Sequence, residues 1–201
     1  AGRGGGPRAR GAASRLAGVA VDPVHPAADL DRRQLDDELL TEGAGLARVT
    51  AEICAHLGVA ARVLPMTEDP VRTRITTAAG PRTFQEYLVR DGAAAEIEQI
   101  EVEGAEAARP APGLLEAIAQ AERIVICPSS PVVSIGTILA VPGVRAALAA
   151  RRADCVAVSP IIGGAPVEGP AKRFLAGAGY DECSATQMAR MYADVASAFL
   201  L

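Results

Sequence analysis

Hydroxyl side chains are concentrated in one short segment, Cys127-Pro-Ser-Ser-Pro-Val-Val-Ser-Ile-Gly-Thr137. The segment follows an apolar run typical of a buried strand, and it leads into a predicted helix. Backbone N–H groups at a helix start, together with hydroxyls, favour a phosphate or a carboxylate. The alternative is that these hydroxyls only cap the helix and close a tight turn. The predicted anion-binding residues are Ser129, Ser130, Pro131, Ser134, Gly136 and Thr137.

A second loop has the same relation to a strand. The run Asp-Cys-Val-Ala-Val-Ser159 predicts another buried strand, and a glycine-containing loop extends from Ser159 to Gly169. Glycine permits a close approach of the backbone to a ligand. Since ligands bind beyond the carboxyl ends of parallel strands, we expect the two loops to face one crevice. An ordinary surface turn is the alternative. The candidate residues of this loop are Ser159, Pro160, Gly163 and Gly164.

A third candidate is the segment Phe-Gln-Glu-Tyr-Leu-Val-Arg that ends at Arg90. Its β-branched and aromatic residues predict the second strand of a hairpin that begins with Val-Arg-Thr-Arg-Ile-Thr-Thr77. Strand alternation places Phe84 and Glu86 on one face and Tyr87 on the other. One face would line a planar ligand, and the candidates are Phe84, Glu86, Tyr87 and Arg90. The alternative is a hairpin that packs its aromatic side chains into the core.

Two carboxylates precede a proline in Met66-Thr-Glu-Asp-Pro70. Such groups are usually solvated turn residues, and a metal or hydroxyl contact is the alternative.

The elements around these segments predict an α/β fold. Helices are expected over 34–43, 46–57 and 112–121, from the turn after Cys127 through 150, after Pro170, and over 185–200 with Ser184 and Gln187 as a capping box. Strands are expected in Ala-Arg-Val-Leu-Pro-Met66, in the hairpin, at 97–103, and in the two buried runs. Strands and helices alternate over 97–199, as on a parallel sheet. We therefore predict a Rossmann-like, open, mostly parallel sheet with helices on both faces and a β-hairpin insertion.

Length and composition limit the remaining choices. The chain has 201 residues, a formal net charge of −4 and four cysteines without metal-ligand spacing. Residues 1–33 form a Gly/Arg/Pro-rich leader that we expect to be poorly ordered, and residues 34–201 form one domain. The acidic balance argues against a nucleic-acid partner. The cysteines are expected to be small buried hydrophobic side chains. With no long apolar run, we expect a cytoplasmic protein without a membrane partner.

Four stretches together resemble one known family: MTEDPVRTRI, FQEYLVR, ICPSSPVVSIGTILAVPGVRAAL and VAVSPIIGGAPVEGPAKRF. They match successive blocks of the 2-phospho-L-lactate transferases of coenzyme F-420 biosynthesis, in order and in approximate spacing, over about residues 37–199. The family usually has Asn where this chain has Ser130. Its initial strand, phosphate turn and acidic pair have no counterpart here, so the resemblance implies an N- and C-terminally incomplete member that is an inactive fragment if it lacks the metal ligands.

The resemblance implies an enzyme that moves a phospholactyl or phosphoenolpyruvyl group from a guanosine-diphosphate-linked donor to the deazaflavin Fo, releasing GMP. Magnesium (Mg²⁺) is the implied cofactor and a homodimer the implied assembly. The loop from Ser129 to Thr137 would hold donor phosphate, and the hairpin would flank the deazaflavin or the acid group. Two alternatives stay open, namely a non-catalytic nucleotide-sugar-binding regulator of the gluconeogenesis-factor type and an interaction protein that keeps only the scaffold.

Overall fold

The computed structural model describes residues 43–162, 165–166 and 170–201. The predicted leader over 1–33, the predicted helix over 34–43 apart from its last residue, and the candidates Gly163 and Gly164 lie outside the described residues. The helices are α1 Leu46–His56, α2 Leu114–Gln120, α3 Ile135–Leu139, α4 Val144–Ala150, α5 Ala171–Gly177 and α6 Ala185–Met191. The strands are β1 Arg72–Thr77, β2 Gly80–Thr83, β3 Gln99–Glu103, β4 Ile124–Ile126, β5 Cys155–Val158, β6 Ile161–Ile162, β7 Ala165–Pro166 and β8 Ala198–Leu200.

Three strands form the antiparallel sheet, in the order β2-β1-β3. β1 and β2 form a hairpin, with Thr77 opposite Gly80 across its turn. Its first strand is the predicted one, but its second strand, Gly80–Thr83, mainly occupies residues that were predicted to connect the two strands. The prediction placed the strand at 97–103 among the parallel units, which is wrong because β3 pairs antiparallel with β1. Alternate residues of β1 are buried, so this sheet covers a core with one face only.

The predicted second hairpin strand is wrong beyond Thr83. Phe84 and Gln85 are helical, and Glu86–Arg90 forms a single π-helical turn. A capping box explains the change of structure: the Thr83 N–H donates to the Glu86 carboxylate at 2.9 Å, and the Glu86 N–H donates to the Thr83 hydroxyl at 3.2 Å. The Thr-x-x-Glu signature therefore overrides the strand propensity of the side chains that follow.

The parallel sheet has the order β4-β5-β8. It confirms the prediction of an open α/β fold, in which helices connect the parallel strands. β8 was missed, because residues 185–200 were predicted as one helix. Helix α6 starts at the predicted Ser184 cap, which accepts the Gln187 N–H at 3.1 Å, and it ends at Met191. Residues 198–200 instead form β8, which pairs with the edge of β5 opposite to β4.

Smaller departures have local causes. The helix predicted to continue through residue 150 is divided into α3 and α4 by Pro142 and Gly143, and Gly143 has a φ of 86°. The strand predicted to end at Met66 is not formed, and Val63 there makes only an isolated bridge. β4 was predicted to be covered on both faces, but Val125 is 53% exposed.

The main hydrophobic core lies between the parallel sheet and its helices and includes Cys155, which is fully buried. A second cluster joins the antiparallel sheet to Phe174 of α5. Cys127 is exposed, so the prediction of a buried side chain is wrong there, because the residue follows the last position of β4. Within the described ranges, no helix is both long and apolar enough to cross a bilayer.

Candidate functional site

The two predicted loops leave the same edge of the parallel sheet. β4 and β5 are parallel, with Ile126 opposite Ala157, so both strands end on one side. The hydroxyl-rich loop, residues 127–137, follows β4, and Ser159 follows β5. The structure therefore brings the two segments to the edge where open α/β sheets bind ligands.

Hydrogen bonds within the hydroxyl-rich loop fix its turn. The Ser130 hydroxyl accepts the N–H groups of Val132 and Val133, each at 3.3 Å. The Ser130 carbonyl accepts the N–H of Ile135 at 2.9 Å. Ser130 therefore closes the turn, which is the alternative to anion binding that the sequence left open for this residue. An Asn side-chain oxygen accepts N–H groups in the same way in such turns, so a hydroxyl at this position can do the turn-closing work of an amide.

Ser129 and Ser134 lie side by side in the same loop. The Ser129 hydroxyl donates to the Ser134 hydroxyl at 2.9 Å, and both side chains are half-buried. Ser134 precedes α3 but makes no side-chain cap. Since α3 has only five residues, its dipole contributes little to anion binding.

Gly136 is required by a close backbone contact. A Cβ atom at this position would lie 2.5 Å from the carbonyl oxygen of Pro131, which is itself buried. Both residues therefore shape the loop, and neither offers a side-chain donor to a ligand. Thr137 does offer one, and its Oγ1 lies 3.3 Å from the Oγ1 of Thr73 in β1.

Ser159 is engaged in its own turn. Its hydroxyl donates to the Ile161 carbonyl and accepts the Ile161 N–H, each at 3.0 Å. Its side chain is 4% exposed. Pro160 is half-buried beside it. Ser159 thus shapes the second loop from within.

The candidates between Phe84 and Arg90 are held by internal contacts. Tyr87 is fully buried and donates to the Ala95 carbonyl at 2.7 Å, and burial raises its pKa. The Phe84 ring lies 5.8 Å from that of Phe174. Arg90 forms an ion pair with Glu86 at 3.0 Å. The predicted strand faces do not exist, and these side chains stabilise the helical turn.

Glu86 takes part in the capping box as a carboxylate. The hydrogen bond from the Thr83 backbone N–H is the largest cause of the lowered pKa of Glu86, and the Thr83 hydroxyl and Arg90 lower this pKa further. A carboxylate held ionised by capping bonds is unsuited to act as a general base near neutral pH.

The carboxylates of the Met66–Pro70 segment are structural. Glu68 accepts the N–H groups of Leu46 and Ala47, and so caps α1, whose N-cap residue Gly45 has no side chain. Asp69 accepts the Arg109 N–H at 2.7 Å. No cluster of three or more His, Cys, Asp or Glu suited to a metal occurs among the described residues. The described residues therefore assign no ligands to the implied magnesium ion.

A cavity that the sequence did not reveal lies beside β4. Its volume is about 220 Å³, and its walls come from β4 and helices α2, α3 and α4. The walls are mainly aliphatic, and Ser129 and Ser134 supply hydroxyls at one end. Short apolar strands and helices give no sequence signal for such a space, because it depends on how they pack.

By its fold, the chain is an open α/β domain in which two loops follow the carboxyl ends of neighbouring parallel strands. A protein-family model described as 2-phospho-L-lactate transferase CofD matches residues 13–197. The phosphoenolpyruvate transferase of Kitasatospora aureofaciens is 53% identical over 148 residues, which are 72% of this chain and 46% of the relative. The 2-phospho-L-lactate transferase of Methanosarcina mazei is 34% identical over 192 residues, which are 94% of this chain and 62% of the relative.

The chain belongs to the CofD family of 2-phospho-L-lactate transferases. It spans about half the length of the curated phosphoenolpyruvate transferases of Kitasatospora and Streptomyces that it matches. A solved structure of a UPF0052 family protein from Bacillus halodurans has a TM-score of 0.51 and 25% identity, covering 67% of this chain and 41% of that one. A second structure from that organism has a TM-score of 0.57 and covers 83% of this chain and 50% of that one; at 21% identity it supports the fold alone.

Proposed function

We propose that this chain carries part of the active site of a transferase in coenzyme F-420 biosynthesis. The proposed reaction moves a phospholactyl or phosphoenolpyruvyl group from a guanosine-diphosphate-linked donor to the deazaflavin Fo. The bond between the two donor phosphates breaks, a phosphoester bond to the Fo hydroxyl forms, the hydroxyl proton leaves, and GMP is released. Because the chain spans about half the length of its transferase relatives, we propose the complete reaction for the whole transferase and only a part of its active site for this chain.

The family match along 13–197 is the observation that carries this proposal. The relatives described above are transferases by name, which favours a transferase over a nucleotide-sugar-binding regulator. The parallel arrangement of β4 and β5 supports it further, because it places both loops at one edge of the sheet.

In the proposed site, the hydroxyl-rich loop receives a donor phosphate. Charge develops on the phosphate oxygens during transfer, and donors fixed in advance stabilise it without reorganising. Ser134 and Thr137 are half-buried hydroxyls that fit this role, and Ser129 orients Ser134 through its hydrogen bond. Gly136, Pro131 and Ser130 hold the loop in shape.

Magnesium and a homodimer remain proposals from the resemblance. Since the described residues bring together no ligand set for the metal, no step is assigned to it. The oligomeric state is checked by light scattering on the eluted chain, with a mass of twice 20.6 kDa expected for the dimer.

The first experiment is calorimetric titration of the purified chain with GDP and, separately, with Fo, each with magnesium present. We expect saturable micromolar binding of both. Ser134→Ala should weaken GDP binding about tenfold, since it removes a donor to a charged group.

The matched control is Ser197→Ala. Ser197 lies at the other end of the sheet, where its hydroxyl contacts the carbonyls of Ala153 and Cys155. Its loss should leave GDP affinity unchanged. A chain that is folded by circular dichroism but binds neither GDP nor Fo would refute the proposed function.

A further inference from the structure

The buried face of β1 contacts the hydroxyl-rich loop. Thr73, Ile75 and Thr77 alternate on this face, and all three are buried. Thr77 serves its own hairpin turn, because its hydroxyl donates to the Gly80 carbonyl at 3.3 Å. The other two side chains are directed at the loop.

An apolar contact holds the middle of the loop. Ile75 belongs to the second hydrophobic cluster, and Val132 and Val133 pack against that cluster. The middle of the loop is therefore inserted between the antiparallel sheet and α5, while its ends belong to the parallel sheet. Its position depends on both sheets.

A polar contact holds the last part of the loop. The Thr73 hydroxyl lies 3.3 Å from the Thr137 hydroxyl, and Thr73 is only 9% exposed. That is the one hydrogen bond of the Thr73 side chain among the described residues. A buried hydroxyl without an acceptor is costly, so donation from Thr73 to Thr137 is the favoured direction.

The direction of this hydrogen bond decides whether the Thr137 hydroxyl can still donate to a ligand. Each hydroxyl carries one proton, and the contact uses one of the two. When Thr73 donates, the contact does not use the O–H of Thr137, and Thr137 is half-buried. A free donor with a fixed oxygen is suited to a phosphate oxygen.

We propose that Thr73 is a positioning residue for phosphate binding: it fixes the Thr137 hydroxyl and, with Ile75, holds the hydroxyl-rich loop in its binding shape. Thr73 acts through Thr137 and need not contact the ligand. This inference rests on the proposed function for the identity of the ligand, while the loop contact itself is independent of it.

The test compares Thr73→Val with the control Thr76→Val in the full chain. Valine keeps the shape of the side chain and removes the hydroxyl, and Thr76 lies on the outer face of the same strand. Amide hydrogen exchange is followed at Ser134, Ile135, Thr137 and Ile138, whose N–H groups donate to the Ser130 and Ser134 carbonyls of the loop. GDP affinity and the melting temperature are measured on the same samples.

We expect Thr73→Val to accelerate exchange at these amides about tenfold and to weaken GDP binding by a similar factor. Thr76→Val should change neither, and Thr73→Ser, which keeps the hydroxyl, should retain most of the affinity. Because Thr137→Val breaks the same contact, its effect should not add to that of Thr73→Val.

Each outcome decides the proposal. Unchanged loop exchange in Thr73→Val overturns it, and so does faster exchange with unaltered GDP affinity. If the unmodified chain binds no GDP, the proposed function fails; faster loop exchange would then still support the Thr73 contact, and unchanged exchange would overturn it as well.

Discussion

Replacing Gly136 by alanine tests how the hydroxyl-rich loop is held. The new Cβ would lie 2.5 Å from the Pro131 carbonyl oxygen, about 0.9 Å closer than an ordinary contact at 3.4 Å. The neighbour is backbone, so no side-chain rotation relieves the contact. The carbonyl cannot easily retreat, because Ser130 closes the turn and the next two residues are packed into the second cluster.

Overpacking of this kind costs roughly 1–3 kcal/mol, which corresponds to a melting temperature lowered by about 2–12 °C in a chain of this size. The shift should also displace Ser134, so we expect Gly136→Ala to weaken GDP binding at least about tenfold. Thermal unfolding followed by circular dichroism and calorimetric GDP titration are the assays.

Gly58→Ala is the control. The position of Gly58 has a positive φ that favours glycine, but it follows α1 and lies outside the hydroxyl-rich loop. Its φ is +68° and a Cβ there meets nothing within 4 Å, so alanine costs backbone strain of about 1 kcal/mol without a collision. We expect lower stability with unaltered GDP binding. A Gly136→Ala chain that melts within a degree of the unmodified one and binds GDP equally well would refute this account of the loop.

Two further predictions concern stability. Glu68→Ala removes the cap of α1 and should lower the free energy of unfolding by about 1 kcal/mol in a denaturant titration, whereas Glu96→Ala, at another exposed glutamate, should have little effect; equal effects would contradict the capping role. The hydrogen bond from Arg145 lowers the pKa of Asp194, so its stabilisation is present above the unfolded-state pKa and is lost as pH falls through the folded-state pKa. Stability should therefore fall less steeply below about pH 4 in Asp194→Asn than in the unmodified chain, and identical slopes would exclude this pair as a source of the acid dependence.

The sequence alone predicted the elements whose signals are local. The first hairpin strand, α1, the Ser184 cap and the positions of β4 and β5 follow from periodicity, glycine stops and capping residues, which act within a few positions. The parallel strands in turn predicted that both loops leave one edge. The family could also be inferred from the sequence, because the long segments around Ser130 and Ser159 resemble sequence blocks of that family.

Some errors had a local signal that was outweighed. Phe84 to Arg90 has the composition of a strand, yet the Thr83 and Glu86 capping box, readable as Thr-x-x-Glu, makes the segment helical. Likewise, Pro142 and Gly143 were available as breakers between α3 and α4. In both places, short-range hydrogen bonding and sterics decided against the side-chain pattern.

Other features were decided only by tertiary structure. The apolar residues Ala198–Leu200 are compatible with a helix or a strand. They form β8 because their backbone pairs with the edge of β5. The sequence allowed Glu68 and Asp69 as possible metal ligands, but in the structure their carboxylates accept backbone N–H groups that lie 21 to 40 positions away. The contact between Thr73 and Thr137 joins residues 64 positions apart. Local patterns determine elements, but which side chains meet depends on packing between elements, and that is where this candidate site is built.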